Sequence, residues 1–101
     1  MKKVLLLFLS QGFEEAEASA FIDVCGWSRI VKDVQPVELL TVGLHNEIKA
    51  AHNLIVKPQK LLKEINPSNF DAFALPGGFH ARGFEEAYKD EVLEVRYKKM
   101  V

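Results

Sequence analysis

Cysteine is almost missing from this chain: Cys25 stands alone. That excludes an intramolecular disulfide framework, and without a CxxC or a paired Cys/His spacing there is no zinc signature either. A reducing, cytoplasmic compartment and no bound metal are the expectation. An excess of charge of one sign is missing too, with 13 Lys and Arg scattered among 14 Asp and Glu for a net charge of -1. Such a balance exerts no electrostatic pull on nucleic acid or an anionic membrane, so the expected partner is a small molecule or a protein. No GxGxxG or Walker string occurs, the Ser10-Gln11-Gly12 segment is not a run of hydroxyl residues, and no paired aspartates follow the first apolar run. Flavin or phosphate binding and a receiver domain therefore fit poorly, and no cofactor is expected. The one Asn-x-Ser triplet carries Pro67 in its middle and cannot be glycosylated.

What is present describes an ordinary globular domain. At 101 residues, 49% hydrophobic and 27% charged, the chain has enough apolar residues for one core and too few residues for two. The opening MKKVLLLFLS imitates a secretion signal, but its short apolar run passes directly into Gly12-Phe13-Glu14-Glu15 without a small-residue cleavage pattern, and a buried first strand over Val4–Leu9 explains it better. Helical spacing follows over Phe13–Cys25, where Glu17, Ala18, Phe21, Val24 and Cys25 share a stripe and Gly26 is the natural stop. Residues 27–36 read as a loop over the sheet edge with Trp27 as a packing anchor. Val37–Leu44 reads as a second strand with Gly43 at a bulge, followed by a small hairpin that Pro58 closes. Leu61–Ile65 makes one helical turn, Phe70–Leu75 a third long strand, Phe79–Phe84 a loop, and Glu85–Lys99 a helix carrying Ala87, Tyr88, Val92 and Val95. This alternation is α/β with right-handed crossovers, and there is no internal repeat.

Two places on this framework can carry chemistry. FDAFAL, stopped by Pro76-Gly77-Gly78, has the length and punctuation of a strand buried on both faces of a parallel sheet. Ligands bind beyond the carboxyl ends of such strands, so the glycine pair fits either an anion or oxyanion cradle or a tight turn without a ligand. Glu17 is the second place. It shares a stripe with Phe21, in the first turns of a helix just past the first strand, where the helix dipole stabilises an anion. A carboxylate there serves as acid, base or hydrogen-bond partner, while Glu14, Glu15 and Glu17 equally fit a plain acidic helix start. His80 follows the glycine pair and is either a ligand contact or solvated surface, and His45 and His52 show no metal spacing.

The strings KKVLLLFLSQGFEEAEASAFIDV, VELLTVGL and FDAFALPGG together resemble the amino-terminal half of the ThiJ/PfpI family, within the class I glutamine amidotransferase-like superfamily. The resemblance implies a flavodoxin-like three-layer sandwich with a mostly parallel sheet, usually dimeric, in which a cysteine sits on a strand-to-helix nucleophile elbow. Family members are described as glyoxalases, protein deglycases, peptidases, redox sensors or chaperones. By position it makes Glu17 the carboxylate bonded to that cysteine and the Gly77 and Gly78 amides the oxyanion hole. The elbow strand would follow the helix at Glu85–Lys99, so residues 1–101 would be the amino-terminal part of a single domain, truncated before the nucleophile. Cys25, two helical turns beyond Glu17 on the packing stripe, does not replace it. Gln59 stands where the family leads one to expect an acidic residue. Two functions follow as expectations: half of a cysteine-dependent site acting on a small carbonyl compound or a peptide and needing its carboxyl-terminal half, or a non-catalytic, chaperone-like or stress-response module that forms a homo-oligomer through its uncovered sheet edge.

Overall fold

The computed structural model describes residues 3–99 of the chain. The apolar amino-terminal run becomes β1 (Lys3–Phe8), and α1 (Glu15–Ser28) follows it. β2 (Val37–Gly43) precedes a hairpin of β3 (Ile48–Lys49) and β4 (Ile55–Val56), after which come the short β5 (Lys60–Leu61), β6 (Ala72–Ala74) and α2 (Asp90–Lys99). The main sheet has the order β5-β2-β1-β6, and every pairing in it is parallel. The hairpin stands apart as an antiparallel pair.

β1 lies between β2 and β6, which explains why it lacks polar alternation: both of its faces are covered. Leu6 and Phe8 point to one side, into a cluster with Val42, Phe73, Phe84, Ala87, Val92 and Val95 under α2. Leu5, Leu7 and Leu9 point to the other, among Phe13, Ala18, Cys25, Ile48 and Ala74 under α1 and the hairpin. The result is a flavodoxin-like three-layer α/β arrangement. Phe8 and Phe73 stack across neighbouring strands with ring centroids 6.1 Å apart, a contact worth about 0.5–1.5 kcal/mol beyond the area it buries.

Several local expectations need correction. α1 does not stop at Gly26 but runs on to Ser28, because Gly26 sits in the helix with open space around it and nothing forces a left-handed residue there. Trp27 therefore lies on the helix, and at 56% exposed it anchors no packing. Gly43 makes no bulge, since it pairs in register with Leu61 of β5, a strand hidden in the sequence by its two-residue length. The helix expected over Glu85–Lys99 is broken at Lys89, whose ψ of 148° is extended, so a 3-10 turn over Phe84–Tyr88 precedes α2. Tyr88 is exposed as a result, while Ala87, Val92 and Val95 are buried.

Candidate functional site

The carboxyl ends of β1 and β6 open on the same rim, as parallel pairing requires, and the chain leaving each strand meets the other there. After β1, Gly12 takes a φ of +72°, and a Cβ on it would come within 2.8–2.9 Å of Arg82 and the Phe79 carbonyl. That left-handed turn brings Phe13 into an antiparallel bridge with Gly78. The Glu14 N–H donates to the Gly77 carbonyl at 2.7 Å and the Phe79 N–H donates to the Gly12 carbonyl at 3.0 Å. Gly78 is packed so closely that a Cβ on it would overlap the Gly12 carbonyl oxygen and the Phe84 ring.

Glu17 lies on the first turn of α1, directly above this bridge. Its Oε1 accepts the Gly77 N–H at 2.9 Å, so the carboxylate and the glycine pair meet although 60 residues separate them. Glu17 does not follow the apolar stripe inward. It is exposed, Val24 is 68% exposed, and the buried face of the helix is made by Ala18 and Cys25 with Phe21 packed beside them. The two glycine amides are not equivalent. The Gly77 N–H is spent on Glu17, whereas the Gly78 N–H has no acceptor among the described residues and its residue is partly open to solvent. His80 stands further along the rim, exposed and stacked on Tyr88 at 5.8 Å. Cys25 is buried, and burial pushes its thiol up, with Arg29 pulling weakly the other way. A thiol in that state is a packing residue.

Sequence reasoning missed a second constellation at the same end of the sheet. Glu86, only 7% exposed, accepts the Gln11 N–H at 2.6 Å and meets His45 Nε2 at 2.6 Å, with the buried Ser10 hydroxyl 3.5 Å away. This carboxylate ties the segment after β1 to the residue after Leu44 and to the turn before α2. Nothing in its sequence neighbourhood marks it, because Glu85-Glu86 reads as an ordinary acidic helix start, and only the 3-10 geometry turns the second glutamate inward. Gln59 answers its own question: its side chain accepts the Thr41 N–H at 2.8 Å while its N–H donates to the Thr41 hydroxyl at 2.9 Å, clasping β2 to the segment before β5.

The DJ-1/PfpI family profile matches residues 2–98. The chain belongs to the DJ-1/PfpI family. Among solved structures it is similar to Drosophila melanogaster DJ-1beta, with a TM-score of 0.77 and 23% identity, covering 97% of this chain and 50% of that one. Oxidised Toxoplasma gondii DJ-1 is likewise similar, with a TM-score of 0.77 and 19% identity over 95% of this chain and 49% of that one. Schizosaccharomyces pombe DJ-1 gives 0.72 and 22% over 95% of this chain and 50% of that one. No curated protein matches. The chain thus spans about half the length of the DJ-1 structures it matches, their amino-terminal half. Within this DJ-1/PfpI fold the described residues include no helix long and apolar enough to cross a membrane.

Proposed function

We propose that residues 1–101 are the amino-terminal part of a single DJ-1/PfpI domain and supply the carboxylate and amide half of a cysteine-dependent site, one that acts on a carbonyl compound or a peptide in the manner of a glyoxalase, deglycase or peptidase. The supporting observation is the 2.9 Å hydrogen bond from the Gly77 N–H to Glu17. It fixes a carboxylate at the rim beside the Gly78 amide, which has no acceptor among the described residues. In this reading Gly77 orients Glu17, Glu17 hydrogen-bonds the nucleophile, and Gly78 donates to the developing oxyanion. His80 is the remaining candidate for ligand contact. The cysteine comes from a carboxyl-terminal half, in the same polypeptide or in a second one, since Cys25 is buried in the core about two helical turns beyond Glu17 and holds its proton. The site is expected to work without a cofactor, in a cytoplasmic compartment that keeps thiols reduced.

The test is reconstitution. Joining a carboxyl-terminal half that contains the elbow cysteine should produce glyoxalase or deglycase turnover, and Glu17→Ala should then lower kcat by about 10²-fold or more, the usual contribution of a positioned acid or base. Equal activity with that substitution in place overturns the assignment. A second reading, a non-catalytic module that self-associates, is favoured by the exposed Val24, Trp27, Ile30 and Val31 on and after the carboxyl-terminal half of α1. Light scattering separates the two, because a stable monomer at high concentration argues against the module.

A further inference from the structure

Glu14, Glu15 and His52 come together from two elements, and neither the half-site nor the buried Glu86 constellation uses them. Glu14 and Glu15 open α1, while His52 sits in the turn between β3 and β4, 37 residues further on. The hairpin is fastened to the chain entering α1 by the Gly12 N–H to the Lys49 carbonyl at 2.9 Å and the Ala51 N–H to the Phe13 carbonyl at 2.8 Å. The His52 ring leans edge-on against Phe79, with centroids 6.0 Å apart. Its Nδ1 thereby faces both carboxylates, 3.0 Å from Glu15 Oε1 and 3.7 Å from Glu14 Oε1. One donor atom from each of the three residues falls within 4.8 Å of the others.

We propose that Glu14, Glu15 and His52 bind a divalent transition-metal ion such as Zn²⁺. A metal about 2.0–2.2 Å from imidazole nitrogen and carboxylate oxygen sets its ligands roughly 3.4 Å apart in a tetrahedron and about 3 Å apart in an octahedron. The observed separations bracket those values, and the side chains are open enough to close the rest by rotation. Imidazole in the set favours a transition metal over Mg²⁺ or Ca²⁺, which prefer oxygen. Charge points the same way: two carboxylates converge on one imidazole, and among the described residues neither has a Lys or Arg partner within 4.0 Å. Arg82, at this hairpin, donates instead to the Asn53 side chain at 3.3 Å. The backbone N–H groups of His52 and Leu54 hold the Glu15 carboxylate at 2.9–3.3 Å; Oε2 accepts from both, while Oε1, the oxygen that faces the His52 ring, accepts only the His52 N–H from the backbone and keeps a lone pair for an ion. The competing arrangement is a protonated His52 shared by the two glutamates with no ion.

The experiment adds ZnCl₂ to the intact, chelator-treated chain in a titration calorimeter at neutral pH. One equivalent should bind per chain. His52→Gln and Glu14→Gln should each weaken binding at least tenfold, since even the loss of a residue that only supports a ligand costs about 10–100-fold, and His45→Gln should leave it unchanged. Should a variant fail to fold, CoCl₂ with the unmodified chain gives the same decision, because its paramagnetic broadening must centre on the amides of Glu15 and His52. No zinc binding, zinc binding that survives His52→Gln, or broadening centred elsewhere overturns the site. Its failure leaves the Glu17 half-site unaffected, since none of these three residues is assigned a role there.

Discussion

Replacing Glu86 by alanine removes the acceptor that holds the start of the β1–α1 connection in place. The cost can be worked from its partners. The Gln11 N–H, part-buried and bonded at 2.6 Å, loses its only side-chain acceptor, and stranding such a group costs about 1–3 kcal/mol. Ser10 loses little, because its hydroxyl also reaches the Gln11 carbonyl at 3.0 Å and the Phe84 carbonyl at 3.4 Å. His45 is 46% exposed at its side chain, so its contact with Glu86 is screened by water and contributes about 0–1 kcal/mol. Together roughly 1–4 kcal/mol is expected, a large part of the 5–15 kcal/mol that holds a domain together. With a urea slope of about 2 kcal/mol/M, mid-range for a small protein, the unfolding midpoint measured by far-UV circular dichroism should fall by roughly 0.5–2 M. Glu86→Gln keeps an oxygen for the Gln11 N–H and an amide for His45, and should cost about 1 kcal/mol or less. An alanine variant within about 0.5 kcal/mol of the parent would refute the reasoning. So would a glutamine variant as unstable as the alanine one, since charge and not hydrogen-bond geometry would then be the cause.

Four other outcomes are expected. Gly26→Ala, in the last turn of α1 with nothing within 4 Å of the added methyl group, should stabilise by about 0.5 kcal/mol and raise Tm by a few degrees in a calorimetric scan, whereas Gly78→Ala, pressed against the Gly12 carbonyl and Phe84, should destabilise by about 1–3 kcal/mol or more. Cys25 should react slowly with a disulfide reagent at pH 8 while folded and quickly in urea, because burial raises its thiol above the ordinary 9.0 despite Arg29; equal rates would show that the helix does not cover it. For Glu15, desolvation pushes the carboxyl up, but hydrogen bonds from its own backbone, the His52 ring and the N–H groups of Leu54 and His52 outweigh it and leave the group below 4.5. A lowered folded value means stability present above the unfolded value of about 4.5 and lost as pH falls through the lower folded one, so the parent should lose stability in that acid window more steeply than Glu15→Gln, as followed by urea midpoints.

Much of the architecture was legible from residue order. Val4–Leu9 announces a strand covered on both faces because an unbroken apolar run offers no side to water, and that requirement alone demands helices above and below the sheet. The glycine pair after β6 is equally readable, since only residues without a Cβ allow the backbone approach found at Gly78. The family motifs also brought Glu17 and Gly77 to one rim. Periodicity could not reveal the orientation of single side chains. Glu17 shares a helical stripe with Phe21 on a wheel, yet the Gly77 N–H draws it to the exposed rim. Glu86 looks like a helix-start acid, yet a 3-10 turn carries it inward.

Residue order thus determined which segments are apolar, where the chain must turn and which backbone positions tolerate no side chain, because these depend on neighbours a few residues apart. Only the tertiary structure decided which polar groups meet: Gly77 with Glu17, Gln11 and His45 with Glu86, His52 with Glu14 and Glu15. Those pairs lie 37 to 75 residues apart, and no local spacing encodes a contact that exists only once parallel strands have brought their carboxyl ends to a common edge.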